Sequence, residues 1–130
     1  MGARGPGAKR QRAAAMDSDG TVIAHSWQAD GLTRAERVIA FIESLPITKG
    51  YGAGENVKLL PFQREWIEAI YATDADGNRR VRTGLMSVAR GQGKTVVAAL
   101  LTLCHLCGPE AEQRGECYSA AATKEQAGLI

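Results

Sequence analysis

The chain has 130 residues, room for one domain with a modest core. It is 45% hydrophobic and 23% charged with a formal net charge of +2, and no apolar run reaches the length of a membrane span, so an integral membrane protein is not expected. The charge is uneven: residues 1–15 hold Arg4, Lys9, Arg10 and Arg12 and no acid, leaving twelve basic against fourteen acidic residues elsewhere. The body is therefore not a general polyanion binder, and any loose electrostatic grip on DNA lies in the tail.

Residues 1–30 read as a disordered or irregular basic leader. The first fifteen are rich in Gly, Ala, Arg and Lys without hydrophobic periodicity. They lack the apolar core of a signal peptide, and Pro6 stands where an N-myristoylation signal wants Ser or Thr.

The domain is placed at residues 31–130. Thr33 and Glu36 form a capping box, and Ala35, Val38, Ile39 and Ile42 recur at the spacing of one helical face, with Pro46 as the stop. Residues 48–56, with three glycines, read as a loop. A second helix starts at Pro61, with Phe62, Trp66 and Ala69/Ile70 as its apolar stripe. Near its start Gln63 carries an amide that donates and accepts at once, the chemistry an adenine edge demands. Asp74-Ala75-Asp76-Gly77-Asn78 is a turn, and Arg79, Arg80 and Arg82 lead from it as a solvated strand edge.

The most informative stretch follows. Residues 84–89 read as a buried strand, Arg90-Gly91-Gln92-Gly93 as a tight loop, and Lys94-Thr95 as the opening of an apolar helix. Polyphosphate binding needs small residues where backbone N–H groups turn inward, a helix N-terminus with unpaired donors, a lysine for the terminal phosphates and a hydroxyl for the bridging Mg2+. Gly91, Gly93, Lys94 and Thr95 supply them. The Walker A pattern would place a further glycine at position 88, where this chain has Val88.

Gly108-Pro109 ends that helix. Residues 117–122 read as a second buried strand, and Thr123 caps a helix running to Ile130. Cys104 and Cys107 flank His105 on the apolar helix, and Cys117 follows. A zinc site lacks a fourth ligand at sensible spacing, so the pair is read as small core hydrophobes. Strand, phosphate loop, helix, strand and helix make the α/β fold of a P-loop NTPase. The expected architecture is the beginning of a doubly wound, mainly parallel sheet preceded by two helices.

Leu60-Pro61-Phe62-Gln63, the Asp76-Gly77-Asn78-Arg79-Arg80 turn, Ala89-Arg90-Gly91-Gln92-Gly93-Lys94-Thr95, and Ala121-Ala122-Thr123-Lys124-Glu125-Gln126-Ala127 resemble tailed-phage terminase large subunits in order and spacing. The resemblance covers residues 32–130 and the front of that family's ATPase domain, and a loop lacking the first glycine is the family's own deviation. It implies a motor that couples ATP hydrolysis to moving viral DNA into a procapsid in the host cytoplasm. Its partners would be double-stranded DNA, a small terminase subunit, the portal and further copies in a ring, with no membrane.

By the same resemblance Gln63 would read adenine. Gly91, Gln92, Gly93, Lys94 and Thr95 would hold ATP, Thr95 would meet Mg2+, and Arg90 would act beside Lys94 on the γ-phosphate. No hydrophobic strand ending in paired acids follows Thr95, and the family's nuclease residues have no counterpart. The expectation is therefore an incomplete domain that binds ATP without turning it over well. Two other readings stay open: a helicase-like P-loop ATPase, and a nucleotide-binding fragment with no catalysis.

Overall fold

A computed structural model describes residues 25–50 and 52–128, apart from the side chain of Gln126. The basic leader up to residue 24 and the last two residues lie outside them. The chain builds a 3-10 turn at Ser26–Gln28 and helices α1 (Arg34–Ser44), α2 (Pro61–Ile70), α3 (Lys94–Cys107) and the short α4 (Lys124–Ala127).

Helix α1 is the hub. It starts where expected: Thr33 Oγ1 accepts the Glu36 N–H at 3.2 Å and the Glu36 carboxylate accepts the Thr33 N–H at 2.7 Å. Those bonds hold the Glu36 carboxyl below its ordinary range. Leu45 caps the helix just before Pro46. Ala35, Val38, Ile39, Phe41 and Ile42 are buried, and the 3-10 turn, α2 and α3 all pack on α1. The core adds Ile67 of α2, Tyr71 just after it, and Leu100 and Cys104 of α3. Each large aliphatic fully buried here contributes about 1.5–3 kcal/mol over its exposed state. Trp27 covers one end, its indole edge-on to Phe41 at 5.8 Å.

Helix α2 is turned from its expected orientation. Its buried residues are Gln63 and Ile67, continued by Tyr71, a row at i, i+4 and i+8; Phe62, Trp66 and Ile70 are half-buried and Ala69 is exposed. The apolar stripe serves a different neighbour. A Cβ on Gly84 would sit 3.1 Å from Trp66 and 3.0 Å from Ile70, so Gly84 is the point where the segment leading to the loop lies flat against α2.

That segment departs from the expected strand. Residues 83–89 and 115–121 carry no ladder pairing, and among the described residues only two isolated bridges occur, Pro46 with Asn56 and Thr73 with Arg79. Nor are the two segments buried: Leu85 is 87% and Tyr118 88% exposed. A parallel strand gains its hydrogen bonds and its cover only from neighbours on both sides, and these two do not pair with each other. The doubly wound sheet is not formed by the described residues.

The turn after α2 forms as expected. Asp74 Oδ1 accepts N–H groups of Asp76 (3.0 Å) and Asn78 (2.8 Å), and Gly77 takes φ 80°. Arg79 is not a solvated edge residue, because its guanidinium lies over the Tyr71 ring at 5.2 Å. Arg80 and Arg82 are exposed. Of the cysteine pair, Cys104 is fully buried whereas Cys107 faces out, and among the described residues no cluster suits a metal ion. No helix there is long and apolar enough to cross a membrane.

Candidate phosphate-binding loop

The loop sits between the end of segment 83–89 and the first turn of α3. Gly91 and Gly93 take φ values of 85° and 75°, the left-handed region in which a side chain is strained. Gly93 is the residue before α3, and no side chain caps that helix. The first N–H groups of an α-helix have no partner inside it; here the amides of Lys94, Thr95 and Val96 stand at that end. The positive end of the helix dipole lies at the same place.

Lys94 crosses the loop. Its Nζ donates to the Val88 carbonyl at 2.6 Å and to the Ala89 carbonyl at 3.0 Å, so one ammonium bridges the segment entering the loop and the helix leaving it. Arg90, Gly91, Gln92 and Thr95 are exposed around it. Backbone donors, a lysine and a hydroxyl thus share one open rim, with Arg90 beside them.

Gln63 reaches this site from α2. Its Oε1 accepts the Leu60 N–H at 3.0 Å and its Nε2 donates to the Gln92 carbonyl at 3.0 Å, leaving the residue 6% exposed. The structure therefore gathers Gln63, Arg90, Gly91, Gln92, Gly93, Lys94 and Thr95 in one place. Trp66, expected only as a packing residue, also serves it: the indole Nε1 donates to the Leu85 carbonyl at 3.3 Å. Its placement three residues after Gln63, on the adjoining turn of the same helix, was the available signal. The carbonyls of Val88 and Ala89 had none, since any residue presents one.

The loop residues Arg90, Gly91, Gln92, Lys94 and Thr95 stand exposed as an open rim. A cavity of about 430 Å³ opens elsewhere, between Arg34, Arg37, Thr73, Gly77 and Glu110. That cavity surrounds an ion pair already matched, with Arg34 Nη2 2.5 Å from Glu110 Oε2, whereas the loop presents the backbone end of α3 with no side chain capping it.

No protein-family model matches the chain. The terminase large subunit of Enterobacteria phage HK97 is 41% identical over 100 residues, which is 76% of this chain and 19% of that protein. The crystal structure of the HK97 bacteriophage large terminase has a TM-score of 0.59 to this backbone at 40% identity, over 75% of this chain and 19% of that one. The chain thus spans 19% of the length of the relative it matches.

Proposed function

Over the region that aligns, this chain belongs with the terminase large subunits, and we propose that it supplies the ATP-binding portion of a phage DNA-packaging motor. One observation carries the reading. In a chain 41% identical to a terminase large subunit, two left-handed glycines deliver an uncapped helix N-terminus beside a lysine. The relationship supports a role in packaging viral DNA. Double-stranded DNA, a small subunit, a portal and procapsid, a ring of like chains and the host cytoplasm are the setting that role would require. Completion of a doubly wound sheet around segments 83–89 and 115–121 belongs to the same reading.

The residues fit a nucleotide triphosphate with Mg2+. A polyphosphate laid on the rim would accept from the amides at the start of α3, and Lys94 would exchange its two carbonyl acceptors for phosphate oxygens. Thr95, in the first turn of α3, presents the hydroxyl suited to the metal, and the ion would neutralise charge shared between the terminal phosphates. Arg90 stands exposed at the loop's outer edge, where its guanidinium would meet the γ-phosphate. Gln63 retains one amide hydrogen and one oxygen lone pair beyond its two bonds with which to meet an adenine edge.

The test is nucleotide binding by calorimetry on the whole chain beside Lys94→Ala. Replacing a charge-assisted bond by none predicts a loss of about 1.5–3 kcal/mol, roughly ten- to a hundredfold in Kd. Equal affinity in the two folded chains would end the phosphate assignment. Release of inorganic phosphate, measured in parallel, separates binding from turnover.

A further inference from the structure

We propose that Gln63 is the positioning residue of the loop, holding it in its phosphate-receiving shape whether or not a base is present. This rests on the phosphate reading and adds to it a task that no adenine is needed to perform.

Gln63 is the buried polar side chain of the described core, and a buried amide must be matched on both its ends. It is: the oxygen takes the N–H of Leu60, on its own helix start, and the nitrogen gives to the carbonyl of Gln92, twenty-nine residues on. The contact continues past the hydrogen bond. A Cβ built on Gly93 would lie 3.1 Å from Gln63 Nε2, so the amide is pressed against the residue whose left-handed turn opens α3. One turn along the same helix, Trp66 holds the Leu85 carbonyl. Helix α2 therefore grips the loop-bearing segment twice, before the loop through Trp66 and inside it through Gln63.

Only a side chain that donates and accepts at this reach fits both partners. Glutamate keeps the acceptor for Leu60 but turns a carboxylate toward the Gln92 carbonyl, two acceptors facing each other. Methionine fills the volume and makes neither bond. Either change frees the Gln92 carbonyl and with it the orientation of the Gly93 and Lys94 amides.

The experiment measures binding of ATP and of inorganic tripolyphosphate to the whole chain and to Gln63→Met and Gln63→Glu, each shown by circular dichroism to retain its helices. Amide hydrogen exchange over residues 89–95 is followed without ligand. Positioning predicts the same loss for both ligands, about five- to tenfold for Gln63→Met and more for Gln63→Glu. It also predicts faster exchange at Gly93 and Lys94. A loss confined to ATP, with exchange unchanged, would overturn the proposal and leave adenine reading as the whole role of Gln63. Unaltered binding of both ligands would overturn it as well. If the unaltered chain binds neither ligand, the phosphate reading falls and takes the positioning role with it, an outcome distinct from the failure of Gln63 alone.

Discussion

Trp66 gives its indole N–H to the carbonyl of Leu85, 3.3 Å away, while the same ring and Ile70 leave no room for a side chain at Gly84. The bond and the contact place the segment that feeds the candidate phosphate-binding loop against α2. They also explain a glycine with no unusual backbone angle: the position is reserved for close approach.

Gly84→Ala should accordingly loosen the loop's approach. Its new methyl would stand 3.0 Å from Ile70 and 3.1 Å from Trp66, tighter than packed carbons allow. Such overpacking costs about 1–3 kcal/mol. Chemical denaturation should show the lowered midpoint, and a change in Trp fluorescence of the folded protein should report the displaced indole. Unchanged values of both would show that the segment is not seated on α2 in solution.

Arg34 and Glu110 join the start of α1 to the turn after α3. Arg34 Nε lies 2.8 Å from Oε1, Nη2 lies 2.5 Å from Oε2, and the Glu110 side chain is 6% exposed. The partnership raises the guanidinium above its ordinary pKa. Glu110→Ala strands a half-covered cation and should destabilise by about 1–3 kcal/mol. Because Arg34 keeps 30% of its side chain in water, the cost stays below that of a fully buried pair. Denaturation of Glu110→Ala, Arg34→Met and the double variant should give single costs that do not add. Additive costs would show the pair to be independent.

Much of the fold was legible because it is local. The Thr33 capping box and the Ala35, Val38, Ile39, Ile42 row identify α1, and Pro61 and Gly93-Lys94 mark the first residues of their helices. The face of α2 was misread, because Phe62 and Trp66 outweigh Gln63 and Ile67 on any hydrophobic scale. What decides the face is the neighbour: α1 covers Ile67, and the segment at Gly84 takes the aromatic side. The expected strands failed for a related reason. Apolar composition at residues 84–89 and 117–122 signals a buried strand, but burial and pairing depend on partners no local pattern contains. The candidate residues around the loop were readable as types at fixed spacing; that Gln63 would be tied to Gln92 was not, since no repeat links positions twenty-nine apart.

The thiols of Cys104 and Cys117 should separate by reactivity. Burial pushes the Cys104 thiol up to about 12 and shields it in the core between α1 and α3, whereas Cys117 is exposed. The thiolate is the reacting form. A disulfide reagent at pH 8 should therefore modify Cys117 quickly and Cys104 only in denaturant, with mass spectrometry of the labelled peptides assigning each site. Fast labelling of Cys104 in the folded chain would contradict the packing of α3 on α1.

Acid should weaken another contact of α3, the one its His105 makes with Tyr71 at the end of α2. His105 lies 2.7 Å from the Tyr71 hydroxyl, through Nε2, and burial lowers its pKa below the ordinary 6.5; Arg79 and Arg34 push the same way while Glu110 and Glu112 oppose them. Burial raises the Tyr71 pKa, so the phenol keeps its proton and shares one hydrogen bond with the neutral imidazole. Between the lowered folded value and 6.5 the unfolded chain binds more protons at this histidine than the folded one does. Stability contributed here is thus complete above pH 6.5 and declines as pH falls through the folded value. Thermal melts from pH 7.5 to 5 should show Tm falling in the acid half of the range. His105→Gln, which cannot charge, should flatten that part of the profile even if its Tm at pH 7.5 is lower. An identical acid slope in the variant would assign the loss to other groups and leave the Tyr71 contact without a part in it.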